Sequence, residues 1–188
     1  MEKFGILVPV QVPWMISPSV PYLSIESMGS TQSASVTFIG FFQLEGDPGN
    51  RAGPAVIGDP GSFVLSDTAK GSQHRLVRVL FGEGAKARKR PAFSDLEVIP
   101  EEGYDWSNVP SGIQDGETPE ASVARVGRQW KETGFCPDPG MYEVHESNWL
   151  RELGLDPNQW RHYILLGHDE YVEVIAREYE WRPGQVLD

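Results

Sequence analysis

Apolar and polar positions alternate almost from the start of the chain. Phe4, Ile6, Val8, Val10 and Val12 fall on one face, and Lys3, Gly5, Leu7, Pro9 and Gln11 on the other. A period of two predicts a strand with one buried face. Pro9 has no N–H to give, which predicts an edge position or a bulge. Tyr22 to Met28 predicts a second strand with Leu23 and Ile25 inward. Ser35 to Leu44 is apolar on both faces, the mark of a central strand covered on both sides. The tetrapeptide Gly-Asp-Pro-Gly then occurs at 46–49 and again at 58–61. Proline presets the second position of a β-turn and glycine supplies positive φ after it, so both predict turns rather than a phosphate cradle. Phe63 to Leu65 and His74 to Phe81 predict further strands, the second with Val77, Val79 and Phe81 on one face.

The pattern changes past residue 100. The stretch 100–118 is polar and turn-rich, with Pro100, Gly103, Pro110, Gly112 and Gly116. It predicts a linker or long surface loop, a soft boundary inside a single domain of residues 1–188. A β-rich part precedes it and an α+β part follows. Thr118, Pro119 and Glu120 open a helix over about 119–133: a cap, a proline at the first helical position and an acid at the positive helix start. Val123, Val126 and Trp130 are its expected apolar stripe, and Gly134 its stop. Ser147 caps a shorter helix over about 148–153, with Trp149, Leu150 and Leu153 apolar.

The closing segment has the clearest pattern. Arg161 to Leu166 runs up, Gly167 to Glu170 turns, and Tyr171 to Trp181 runs back. A turn centred on His168 and Asp169 sets Leu165 opposite Val172 and Tyr163 opposite Val174, with that face toward the core. The second face then holds His162, Ile164, Leu166, Tyr171, Glu173 and Ile175, with His162 diagonal to Glu173. The expected fold class is α+β, a mainly antiparallel twisted sheet with one principal and one short helix.

Composition sharpens this. Of 188 residues, 20 are Gly and 15 Pro, which favours turns and short strands; the 39% hydrophobic share suffices for a core. The single cysteine excludes an internal disulfide framework, and Met1 to Leu7 lacks a leader's pattern; both suggest a cytoplasmic setting. No stretch is long and apolar enough for a membrane span. The net charge of −11 is uneven: residues 1–94 carry +2 and residues 95–188 carry −13. An acidic half argues against nucleic acid and suits a basic partner.

Five groups of residues could carry chemistry. Cys136 with His145 would make a nucleophile and base. His162, His168, Asp169 and Glu173, with His145, could ligate a metal, though the spacing matches no metal motif and none is assigned. Glu143 and Glu173 could form an acid–base pair. Tyr171, Tyr179 and Trp181, among charged neighbours, predict a half-exposed aromatic binding face. Lys86, Arg88, Lys89 and Arg90 form a cationic run that reads as a solvated loop or as a contact for the acidic half of a second copy.

Three functions follow. The first is non-catalytic recognition of a basic protein through Asp169, Glu170, Tyr171, Glu173, Tyr179 and Trp181, of which an immunity-type inhibitor of a basic toxin is one concrete version. The alternative is a small hydrolase-like or metal-dependent enzyme using His145, His162, Glu173 and Cys136. The third is a subunit of a homo-oligomer joined by its unlike halves. No cofactor is implied.

Overall fold

The computed structural model describes residues 4–17, 21–28, 31–43, 72–94, 97–110, 114 and 116–187. The fold is α+β, with two mostly antiparallel sheets, one principal helix and one short one. The strands are β1 (Gly5–Pro9), β2 (Trp14–Ile16), β3 (Tyr22–Met28), β4 (Thr31–Gln43), β5 (Ser72–Phe81), β6 (Lys86–Pro91), β7 (Tyr104–Asp105), β8 (Met141–His145), β9 (Arg161–Leu166), β10 (Glu170–Ala176) and β11 (Tyr179–Leu187). The helices are α1 (Pro119–Thr133) and α2 (Asn148–Glu152). The first sheet runs β6-β10-β9-β8-β1-β7; the second runs β11-β5-β4-β2, with β3 also on β4. The two Gly-Asp-Pro-Gly turns, the strand expected at Phe63 to Leu65 and the inward placement of Leu23 and Ile25 lie outside the described residues. No helix among the described residues is long and apolar enough to cross a membrane.

Strand alternation places the cores. On the first sheet Tyr163, Leu165, Val172 and Val174 pack into one cluster with Val36, Phe38, Val77, Val79 and Phe81 of the second sheet. The opposite face of the first sheet carries Leu7, Tyr142, Val144, Ile164 and Tyr171, packed with Ile99, Tyr104 and Val109. The stretch expected to be a linker therefore supplies a wall of the second cluster, and its β7 extends the sheet beside β1. Pro9 ends β1, which is an interior strand rather than an edge: β8 pairs along it, and β7 reaches only Gly5 and Ile6. Leu7, assigned to the outer face by alternation, is fully buried, whereas Phe4 is 41% exposed and Ile6 and Val8 are only half-buried, so this stretch turns the opposite face inward from the one expected.

Helix α1 has its expected ends. Thr118 accepts from the Ala121 N–H, and Gly134 takes a left-handed φ of 75° while its N–H bonds Trp130 O. Its stripe is rotated from expectation. Ser122 and Trp130 are buried, Val126 half-buried, and Val123 exposed. Trp130 lies against Phe41 of β4, so the packed line advances by four residues through 122, 126 and 130.

The closing ribbon pairs as expected, with Leu165 opposite Val172 and Tyr163 opposite Val174. It does not run on to Trp181. Strand β10 stops at Ala176; exposed Arg177 and Glu178 carry the chain over, and β11 joins β5 in the second sheet. That crossing sets the positions of Tyr179 and Trp181.

Candidate functional site

Beside α2, the second face of β9 and β10 holds ionisable groups at core depth. Strand β6 pairs with β10 so that Arg88 lies directly opposite Glu173 and Arg90 directly opposite Tyr171. Residues directly opposite share a face. On the other flank His162 opposes Ile175, one step diagonal from Glu173. Glu173 thus sits among Arg88, Arg90 and His162, and it is only 2% exposed.

Arg88 Nε and Nη2 donate to Glu173 Oε2 and Oε1 at 2.5 and 2.9 Å. Arg90 Nε donates to Oε2 at 3.0 Å. The Arg88 guanidinium also lies 3.8 Å over the Trp149 ring, which α2 presents. Trp149 in turn meets the His162 ring edge-on at 5.2 Å. A fork held by a bidentate carboxylate and a stacked indole has little freedom left.

His162 is 3% exposed. Its Nδ1 lies 2.8 Å from Ser147 Oγ, and that oxygen accepts the Leu150 N–H as the cap of α2. Ser147 Oγ thus bridges the start of α2 and the imidazole and fixes the orientation of the ring. Nε2 is 3.3 Å from Glu173 Oε1 but off the line of a hydrogen bond, and it has no hydrogen-bond partner.

Burial works to raise the Glu173 carboxyl, but the contacts from His162 and Arg88 outweigh it and bring it down to about 2. Burial pushes His162 below its ordinary value against the pull of Glu173, with Arg88 adding to the push. The imidazole is therefore neutral, and the arginines are the lasting partners of the carboxylate. Burial likewise raises the Tyr104 and Tyr171 hydroxyls, with Glu173 adding to it, so both stay protonated donors.

A cavity of about 490 Å³ opens over this cluster. Glu173, His162, Arg88 and Arg90 line its charged part; Phe4, Phe93, Trp149, Tyr104 and Tyr171 supply rings. Glu152 and Asn148 of α2 border it as well.

The residues expected to form a site are thus divided. Tyr171 and Glu173 reach the cavity. Glu170 points to the opposite face and pairs with Lys89. Asp169 sits exposed in the turn, 2.7 Å from His168 Nδ1. Trp181 is buried between the sheets against Trp14 and Phe42, and Tyr179 lies between Phe81 and Tyr163. The half-exposed face expected of Tyr171, Tyr179 and Trp181 is therefore not there: the crossing at Ala176 turns the last two inward.

Cys136 is buried, and burial pushes its thiol up to about 12, so it holds no thiolate for attack. His145 is exposed beside Glu143, bordering a different cavity, and does not join His162. Glu143 there also faces Arg161 rather than Glu173. Among the described residues no group of three His, Cys, Asp or Glu side chains could hold a metal ion.

The cationic run is a correction too. It forms β6, not a solvated loop, and Arg88, Lys89 and Arg90 pair with acids of β10 in the same chain. Its period-two spacing, Arg88 and Arg90 against Glu173, was the available signal. Tyr104 was hidden in the turn-rich stretch, and Trp149 stood out only as an apolar residue of the short helix.

Compared with known proteins, the chain matches no family model, no curated protein and no solved structure.

Proposed function

We propose that this is a non-catalytic recognition protein whose binding site is the cavity over Glu173. One observation carries the reading: a cavity of about 490 Å³ is floored by a buried carboxylate already neutralised by two arginines and walled by aromatic rings. Its volume falls within the roughly 300–1,000 Å³ of small-molecule sites. The carboxylate was desolvated during folding and is held by both arginines, so a ligand meets a preformed surface. The groups that would turn substrate over are disarmed. Glu173 is held as a weak base, Cys136 stays protonated, and burial opposes the imidazolium that His162 would become on taking a proton.

The expected basic protein partner, with an immunity-type inhibitor as its concrete form, draws on outward carboxylates. Glu170 and Glu173 are engaged within the chain, which leaves Asp169 of the expected acids, itself beside His168. The cavity is the better-built feature. A cytoplasmic setting remains part of the proposal, on the strength of the lone cysteine.

The hydrolase-like alternative has one observation in its favour, the order Ser147–His162–Glu173. Two facts oppose it. Ser147 Oγ is buried and engaged as a helix cap, and Arg88 counters the charge an imidazolium would need from Glu173. A fluorophosphonate probe that labels Ser147 would establish that alternative and overturn the non-catalytic reading.

The binding reading is tested by ligand-observed NMR with a fragment mixture on the full chain and on Trp149→Ala. Fragments are expected to bind the first and lose binding to the second. Binding indifferent to Trp149→Ala, or no binding at millimolar concentration, refutes the site.

A further inference from the structure

We propose that the cavity selects an oxyanion, a carboxylate or phosphate carried on a small flat apolar body, with Arg90, Tyr104 and Tyr171 as its donors. This rests on the recognition reading above and names the chemistry of what is recognised.

The argument is an inventory of unused hydrogen-bonding capacity. Glu173 is the cavity's buried acceptor, and both of its oxygens are taken by Arg88 and Arg90. The donors are not used up. Arg90 gives only Nε to Glu173; its two terminal nitrogens have no partner among the described residues, and the side chain is 47% exposed. The hydroxyls of Tyr104 and Tyr171 make no hydrogen bond within the described protein, although both rings are buried and border the cavity.

Charge points the same way. Arg88 and Arg90 against Glu173 leave one net positive charge at the cavity, on the half-exposed Arg90. Glu152 is the acid on the exposed rim, where water and salt screen it. A cationic ligand group would face Arg90, with no free buried carboxylate among the described residues to answer it. A neutral amide would bring oxygen to the donors, but without charge-assisted bonds, which are roughly twice as strong as neutral ones.

The flat apolar body follows from the mouth. Phe4 and Phe93 border the same cavity and are 41% and 63% exposed, unusually wet for phenylalanine. Covering both rings adds apolar burial to the anionic anchor.

The test is calorimetric titration of the full chain with benzoate, phenyl phosphate, benzamide and benzylamine. At least one anion should bind about tenfold or more tightly than benzamide, with benzylamine weakest. A preference for benzoate identifies a carboxylate and a preference for phenyl phosphate a phosphate ester; either supports the proposal. Arg90→Ala should shrink the anion-to-amide ratio to about twofold, because it removes the outward donors while Arg88 keeps its two bonds to Glu173. Should Arg90→Ala fail to fold, Tyr171→Phe serves instead and should weaken the anion about threefold while leaving benzamide unchanged. Benzamide binding as tightly as the anions, or an undiminished ratio in Arg90→Ala, overturns the oxyanion. If benzamide binds equally well and loses binding in Trp149→Ala, the cavity reading survives alone. If no probe binds, both readings fall.

Discussion

The two faces of the β9–β10 ribbon share one backbone and one depth but are closed by different means. The inner face, with Tyr163, Leu165, Val172 and Val174, is sealed by hydrocarbon from the second sheet. The outer face buries Glu173 and His162 just as deeply, and there closure depends on partners. Hydrocarbon packing is non-directional and tolerates replacement at similar volume. A buried charge tolerates only a geometry that answers it. The inner face therefore ends against another sheet. The outer face ends in oriented donors around a cavity, the kind of surface that distinguishes one ligand from another.

The sharpest way to break the contrast is to remove the outer face's partner. Arg88→Ala takes away two bonds to Glu173 and the lid over Trp149, leaving the carboxylate on Arg90 alone. An expected loss of about 4 kcal/mol follows from stranding a buried charge, read as a lowered urea midpoint. Adding Glu173→Leu should recover at least half of it, since the stranded charge is then gone. On the inner face Leu165→Ala should cost about 3 kcal/mol, and no second charge change should rescue it. If Glu173→Leu fails to rescue Arg88→Ala, the damage lies in lost packing and the two faces are alike.

Acid should separate the faces next. Glu173 is held down to about 2 from an ordinary 4.5, so its contribution is present above pH 4.5 and drains away as pH falls toward 2. His162 is held below its ordinary 6.5, so the unfolded chain takes up a proton first, and stability declines as pH drops below 6.5. The slope per proton is at most about 1.4 kcal/mol per pH unit. Urea midpoints across pH should be flat with respect to both groups above pH 7. His162→Asn, which keeps a hydrogen-bonding group for Ser147, should erase the decline that begins below 6.5. Leu165→Ala should shift the whole profile down in parallel. A His162→Asn profile that still falls below 6.5 would place the early acid sensitivity elsewhere.

The inner face was legible in the sequence and the outer face only in part, for a physical reason. Register follows from a period of two plus a turn, and Leu165, Val172, Tyr163 and Val174 display both. The limits of α1 were legible because Thr118, Pro119 and Gly134 act through local backbone geometry. Burial of charge has no such local signature. Arg88 and Arg90 look solvated until a facing strand brings Glu173 to them from 83 to 85 residues away. Trp181 misled for a related reason. Glu180 and Arg182 flank it, but in a strand immediate neighbours point to the opposite face, so their charge carries no information about where the tryptophan goes. Tyr104 was lost to its surroundings, where prolines and glycines suggested a loop and β7 is only two residues long.

The smallest expected effect tests whether depth, rather than ion pairing itself, separates the faces. Lys89 and Glu170 join the same two strands as Arg88 and Glu173, with side chains 36% and 34% exposed. At that exposure water already solvates both charges in the unpaired state, and ordering two long side chains offsets most of the attraction. A double-mutant cycle with Lys89→Ala and Glu170→Ala should therefore return a coupling under about 0.5 kcal/mol, falling further in 1 M salt. The matching cycle on Arg88 and Glu173 should return several times more and change little with salt, because its carboxylate lies where ions do not reach. Equal couplings would mean that the strand pair favours opposite charges wherever they stand. Glu173 would then be one cross-strand pair among others, and the preformed floor of the cavity would lose its energetic basis.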